Sequence, residues 1–156
     1  MKKILLIISF LRSSKKTIDE AMNLAKTQNA ELLVVFILDI DYADNIVHKL
    51  TDEGWIGGKP SEQLYTSLLK EYKLQAELKI EEIEKRAKEL NIPIKSIIKS
   101  GSVLEEALRL ASLEDPDLIV ITRRKRSSLS RLIFGSLVNA LKDKVKCQLK
   151  VIDAEP

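Results

Sequence analysis

The chain is poor in the residues that most metal and nucleophilic chemistry requires. Cys147 is its one cysteine and His48 its one histidine. A lone cysteine excludes an intrachain disulfide and a cysteine-based zinc site, and it fits a reducing cytoplasm. A lone histidine excludes histidine-rich metal clusters and leaves one candidate imidazole for catalysis. There is no G-x-S-x-G nucleophile elbow and no G-x-G-x-x-G dinucleotide loop. No apolar run approaches the ~20 residues of a membrane span. The opening MKKILLIISFLRSSKK resembles the start of a secretory signal, but its apolar run is short and Arg12, Lys15 and Lys16 follow at once. A buried first strand and a cytoplasmic protein without membrane association are expected.

What the chain does have is a core and one concentrated charge. Apolar residues at 45% and charged residues at 31% describe a single soluble globular domain over residues 1–156. The formal net charge is +3, yet residues 122–131 alone contribute +5 and leave the rest at −2. One basic loop on a near-neutral body points to a local anion site, not to a nucleic-acid-binding protein.

Hydrophobic patterning orders the elements. Lys3–Ser9, Glu31–Leu38 and Asp117–Thr122 are apolar runs without alternation, as expected of strands buried on both faces. Pro93–Lys99 and Gln148–Ile152 complete five strands. Between them, helices are expected at 14–28 (capped by Ser13 or Ser14 and stopped at Asn29), 62–90, 103–112 (opened by a Ser102/Glu105 capping box) and 136–146. A helix of about 29 residues would span roughly 43 Å, long for so small a domain, so a kink or a protruding first half is expected. Residues 39–61, acidic and then glycine-rich around Trp55, read as an irregular loop. Alternating strands and helices imply a parallel sheet with helices on both faces, and ligands in such folds sit at the carboxyl ends of strands.

Four constellations bear on chemistry. Ile121–Ser136, ITRRKRSSLSRLIFGS, leaves the carboxyl end of the fourth strand with five basic side chains and no acid. It reads as a solvated turn, an anion or nucleotide site, or a contact for nucleic acid or an acidic partner. Nucleic acid is the least favoured, because no aromatic residue stands between Ile121 and Ile133 for bases to stack on. Asp39-x-Asp41 follows a strand as in haloacid dehalogenase-type phosphatases, but Ala43 stands where Thr or Val is wanted, so a strand-ending acidic loop is the simpler reading. Gly54–Pro60 is a residue short of a P-loop and has proline at the hydroxyl position. His48 and Asp52 stand four apart without a serine or cysteine motif, which makes His48 a surface residue.

The order of elements, with MKKILLIIS, Ser102-Val-Leu-Glu-Glu-Ala, Asp117-Leu-Ile-Val-Ile, Ser130-Arg-Leu-Ile-Phe-Gly-Ser and Cys147-Gln-Leu-Lys-Val-Ile, resembles the universal stress protein family across essentially the whole chain. The resemblance implies a Rossmann-like (HUP-type) α/β domain with a five-stranded parallel sheet ordered 3-2-1-4-5. It also implies a homodimer, often paired through the last strand, here about residues 147–153. One branch of the family binds ATP through Gly-x2-Gly-x9-Gly-(Ser/Thr) after the fourth strand, helped by an aspartate ending the first. On this chain the first two glycines fall on Thr122 and Lys125, the third and its partner on Gly135 and Ser136, the aspartate on Ser9 and the adenine-facing apolar position on Ile37.

Two glycines and the acid are thus replaced. A lysine at 125 resists the positive φ that brings backbone close to a phosphate, while Gly135 and Ser136 keep an anion cradle at a helix start and Arg123, Lys125 and Arg126 add attraction for any polyanion. The leading expectation is a non-catalytic stress-response dimer without nucleotide binding by the full motif, and with no firm cofactor. The alternative is a domain holding ATP, AMP or another phosphorylated small molecule through Ser9, Ile37, Thr122, Arg123, Lys125, Arg126, Gly135 and Ser136, hydrolysing nucleotide slowly at most.

Overall fold

A computed structural model of the chain describes residues 2–52, 59–123 and 137–154. Five strands, β1 (Lys3–Ile8), β2 (Glu31–Asp39), β3 (Ile94–Gly101), β4 (Leu118–Arg123) and β5 (Gln148–Asp153), form one sheet in the order β3-β2-β1-β4-β5. Every pairing is parallel. The helices are α1 (Lys15–Thr27), α2 (Ile40–Asp52), α3 (Lys59–Glu89) and α4 (Val103–Glu114), and residues 137–144 are also helical.

The unbroken apolar runs are explained by burial on both sides of the sheet. Ile4, Leu6 and Ile8 of β1 face Ile18 and Met22 of α1 and Ile80 and Ile83 of α3. Leu5 and Ile7 point the other way, toward Ala107 and Leu110 of α4 and Leu141 of the last helical segment. Each such side chain, fully withdrawn from water, contributes about 1.5–3 kcal/mol of hydrophobic stabilisation. The chain reverses cleanly at two helix ends. Asn29 (φ 53°) and Asn91 (φ 58°) take left-handed backbone, which asparagine tolerates well, and Ala30 N–H and Ile92 N–H then reach back to Ala25 O (2.9 Å) and Ala87 O (2.8 Å).

Two local expectations need correction. The stretch 39–61, expected to be irregular, contains α2 over Ile40–Asp52. The Asp39 carboxylate accepts the Tyr42 N–H at 3.3 Å, Ala43 is wholly buried and Asp44 is exposed, so Asp39 starts a helix with an inner and an outer face. Ser102 does stand at the N-cap of α4, but its hydroxyl makes no capping bond, and the Glu106 N–H instead reaches the Ser102 carbonyl at 3.0 Å. α3 has 31 residues, about 46 Å. Among its described residues the buried ones, Ala76, Ile80, Ile83 and Ala87, all lie in the carboxyl-terminal half, while α2 packs against α3 as well. The Phe10, Phe36, Tyr72 and Tyr42 rings form a cluster where α2, α3 and the sheet meet, with centroids 4.4–5.9 Å apart. The Gly54–Pro60 loop and Trp55 lie outside the described residues, apart from the helical backbone of α3 from Lys59, and the side chains of His48 and Asp52 are likewise outside them.

Candidate functional site

The order β3-β2-β1-β4-β5 reverses direction between β1 and β4, the point in such sheets beyond whose carboxyl strand ends ligands are commonly held. The register fixes what meets there. Ile8 pairs with Phe36, and Ile7 with Ile121. One step past the last β1–β2 pair, Ser9 comes level with Ile37. Two steps past Ile121, it comes level with Arg123. Ile37 belongs to the same core layer as Leu5 and Ile7 and is fully buried.

Ser9 is 1% exposed, and its Oγ has no hydrogen-bond partner. A buried hydroxyl without a partner is costly, on the order of 1–3 kcal/mol. The turn that follows is tight. Ser9 N–H donates to Arg12 O (3.2 Å) and Arg12 N–H donates to Ser9 O (3.1 Å), so residues 9 and 12 are locked side by side. Arg12 is itself only 6% exposed, and its Nη1 donates to the Thr122 carbonyl at 3.1 Å, across the gap between the two strand ends. A guanidinium keeps its charge at any physiological pH.

Thr122 is fully buried and faces the opposite layer. Its Oγ1–H donates to Thr17 Oγ1 at 2.7 Å, and Thr17 shares a second 2.7 Å bond with Ser14 Oγ, which also accepts the Thr17 N–H at 3.1 Å. This hydroxyl chain ties the start of α1 to the end of β4. Arg123 turns outward instead. It makes two bonds to Asp153 of β5, Nε to Oδ1 at 2.6 Å and Nη2 to Oδ2 at 3.1 Å, and this hydrogen bonding, with the carboxylate's charge, raises the guanidinium pKa further.

Of the residues expected to form a site, the fold therefore brings Ser9 and Ile37 to one strand-end level beside the backbone of Thr122, while Arg123 is engaged with the edge strand. Lys125, Arg126, Gly135 and Ser136 lie outside the described residues. Arg12 was not among those expected. Its one signal in sequence is an arginine at a strand-to-helix junction, where it reads as part of a basic run. Among the described residues no group of three His, Cys, Asp or Glu side chains could hold a metal ion.

A concavity of about 240 Å³ lies at the amino end of the sheet, where α4 ends and β4 and β5 begin, between Ala111, Asp115, Lys144 and Cys147. Burial pushes the Cys147 thiol pKa up, and Asp115 and Asp117 push it the same way. The carboxyl end of α4, the negative pole of its dipole, also opens there. A raised thiol pKa keeps the sulfur protonated and weakly nucleophilic.

Comparison with known proteins agrees with this architecture. The model of the Universal stress protein family matches residues 1–153. The universal stress protein MJ0531 of Methanocaldococcus jannaschii is 24% identical over 151 residues, 97% of this chain and 81% of that protein. Among solved structures, the universal stress protein UspA from Lactobacillus plantarum superposes with a TM-score of 0.68 at 19% identity, covering 97% of each chain. A universal stress protein family protein from Arabidopsis thaliana, solved with AMP bound, gives a TM-score of 0.62 at 10% identity, covering 99% of this chain and 93% of that one. At such identities the structural likeness establishes the fold.

Proposed function

This chain belongs to the universal stress protein family, and we propose that it is a non-catalytic stress-response module. It holds a phosphate-bearing ligand of the adenine nucleotide class at the carboxyl ends of β1 and β4, without the family's full glycine motif. The observation that carries this reading is the polarity of that end. Ser9 offers a buried hydroxyl with no partner, Arg12 offers a buried cation, and Ile37 puts a buried apolar side chain at the same level. Apolar surface for a base beside positive charge for a phosphate is the division of labour a nucleotide site needs. The Arabidopsis relative solved with AMP bound supports the same ligand class. Binding without turnover is supported by the acids at hand: Asp39 caps α2, and Asp153 is paired with Arg123.

The test is calorimetric titration of the full chain with ATP and AMP at physiological salt, with adenosine and inorganic triphosphate as controls. The expected result is saturable nucleotide binding tighter than either control, with no measurable release of phosphate. Flat titrations, or triphosphate binding as tightly as ATP, would overturn it.

The sheet edge supports a second element of the proposal, an isologous dimer. Among the described residues β5 pairs only with β4, which leaves one side of its backbone unpaired. Cys147, Leu149 and Val151 are only partly covered on one face of that strand. Light scattering at micromolar concentration should give twice the 17.7 kDa chain mass, and a monomeric mass would remove this element. No helix among the described residues is long and apolar enough to cross a membrane, and the single cysteine supports a cytoplasmic location.

A further inference from the structure

We propose that the open edge of β3, with the flank of α3 beside it, is a docking groove for an extended basic segment of a partner protein, which joins the sheet as an added strand. The groove shares no residue with the ends of β1 and β4, so it stands or falls separately from the ligand reading.

Three observations combine, and the first is a free row of backbone groups. Among the described residues β3 pairs with β2 alone. Leu32 N–H donates to Pro93 O, and the parallel register steps by two from there. Lys95, Ile97 and Lys99 therefore turn their backbone groups toward β2, and Ser96 and Ile98 turn theirs to the open side. Such an edge takes up a further strand through main-chain hydrogen bonds. The second observation is shape. A concavity of about 400 Å³ lies along this edge, bounded by α3 on one side and by Ser96, Ile97 and Ile98 on the other. Those three residues are half-buried, whereas Leu32–Leu38 of the neighbouring β2 are all buried. Ile98 packs on the α3 side of the sheet and Ile97 on the α4 side, so an added strand meets apolar surface on both faces.

The third observation is charge. Glu77, Glu81 and Glu84 line the concavity from α3, and their i, i+4, i+7 spacing puts them on one flank of the helix. Glu84 accepts the Ser96 hydroxyl at 2.8 Å, which fixes that flank against the strand. Glu77 and Glu81 are exposed, and among the described residues neither carboxylate has an ion-pair partner. Among the described residues no cation lines this concavity. Lys95 and Lys99 belong to the other face by strand alternation, and Lys95 is held by Glu31 at 3.8 Å. Lys85 and Lys88 line only a neighbouring concavity, which shares Glu81 and Glu84 with this one. These features set the pattern of the occupant. Side chains of an added strand alternate between faces. Those over α3 meet the glutamates and are lysine or arginine, and those on the other face meet Ile97 and are apolar. A second copy of this chain fits poorly, because two β3 edges paired antiparallel bring both α3 helices to one face and set glutamate against glutamate.

The experiment is fluorescence anisotropy of a labelled peptide of alternating lysine and valine, titrated with the full chain at physiological salt. The controls are an alternating glutamate–valine peptide and a peptide of the same lysine–valine composition with all its lysines in one block. Saturable binding of the alternating lysine–valine peptide, about tenfold or more tighter than either control, is expected. Glu77→Lys combined with Glu81→Lys, both at exposed positions, should weaken it about tenfold or more. Ser96→Ala removes only the hydroxyl, whereas Ser96→Pro also removes the outward N–H, which the ladder to β2 does not use. Ser96→Pro should therefore weaken binding about tenfold beyond Ser96→Ala. Thermal melts identify a variant that fails to fold, and if Ser96→Pro is one, the glutamate pair decides. A flat titration, equal binding of the block peptide, or affinity unchanged in the variants overturns the groove. A fall in the light-scattering mass on Ser96→Pro also overturns it, since the edge would then be an interface between copies.

Discussion

The two ends of the sheet are built from similar residues and are used differently. At the amino ends every polar group named here is paired. Lys3 N–H donates to Asp117 Oδ2 at 2.7 Å, Asp117 N–H to Lys3 O at 2.8 Å, Glu31 N–H to Lys2 O at 2.8 Å and Leu32 N–H to Pro93 O at 2.8 Å. The Lys3 ammonium is closed off by the Glu114 carbonyl and carboxylate. At the carboxyl ends a serine hydroxyl is buried without a partner, and a guanidinium is buried against a backbone carbonyl. One end closes the fold, and at the other the Ser9 hydroxyl is left without a partner. On the proposed function the difference is what a binding site would cost, since an unsatisfied group is tolerated where a ligand satisfies it.

Substitutions sort along the same line, and the largest effect should come from between the ends. Leu6→Ala empties a fully buried position in the central strand and should lower unfolding free energy by about 2–5 kcal/mol in a urea melt, weakening ligand binding through the loss of fold. Asp117→Ala removes the carboxylate that accepts Lys3 N–H at the amino end. It should cost about 1 kcal/mol of stability and leave AMP affinity unchanged, and a change in affinity would break the comparison. Arg123→Ala should matter least. Its pair with Asp153 is exposed on both sides, so a loss below about 1 kcal/mol is expected.

The aromatic cluster beside the carboxyl ends gives a separate check by pH. Burial, and then the neighbouring Tyr42 phenol through its charge and a hydrogen bond, push the Tyr72 pKa up to about 12 from 10.0. Between those values the unfolded chain has released the Tyr72 proton and the folded chain has kept it. Stability from this group is therefore complete below pH 10 and is lost as pH rises through 12. Ultraviolet titration should show one tyrosine ionising late, and loss of that late step in Tyr72→Phe would assign it.

The sheet was legible in the sequence because burial on both faces removes alternation. ELLVVFIL and DLIVIT admit no polar face, and three such segments, with two more polar strands and the helical stretches between them, leave few topologies. What was not legible depends on contacts distant in the chain. α2 was missed because Asp39, Asp41 and Asp44 look like a solvated turn, although Ile40, Ala43 and Val47 already stand at helical spacing around the wholly buried Ala43. Arg12 was missed because its burial is set by Thr122, 110 positions away. Nothing local distinguishes it from Lys15 or Lys16. Ser9 was found as a departure from the family's aspartate, which marked the position without showing that its hydroxyl would be enclosed and unpaired.

The most direct measurement is amide hydrogen exchange of the full chain with and without saturating AMP. The account predicts added protection in peptides covering residues 9–12 and 122–123, with none at Lys3, Glu31, Leu32 or Asp117. Protection spread equally over both ends, or confined to the amino ends, would contradict it.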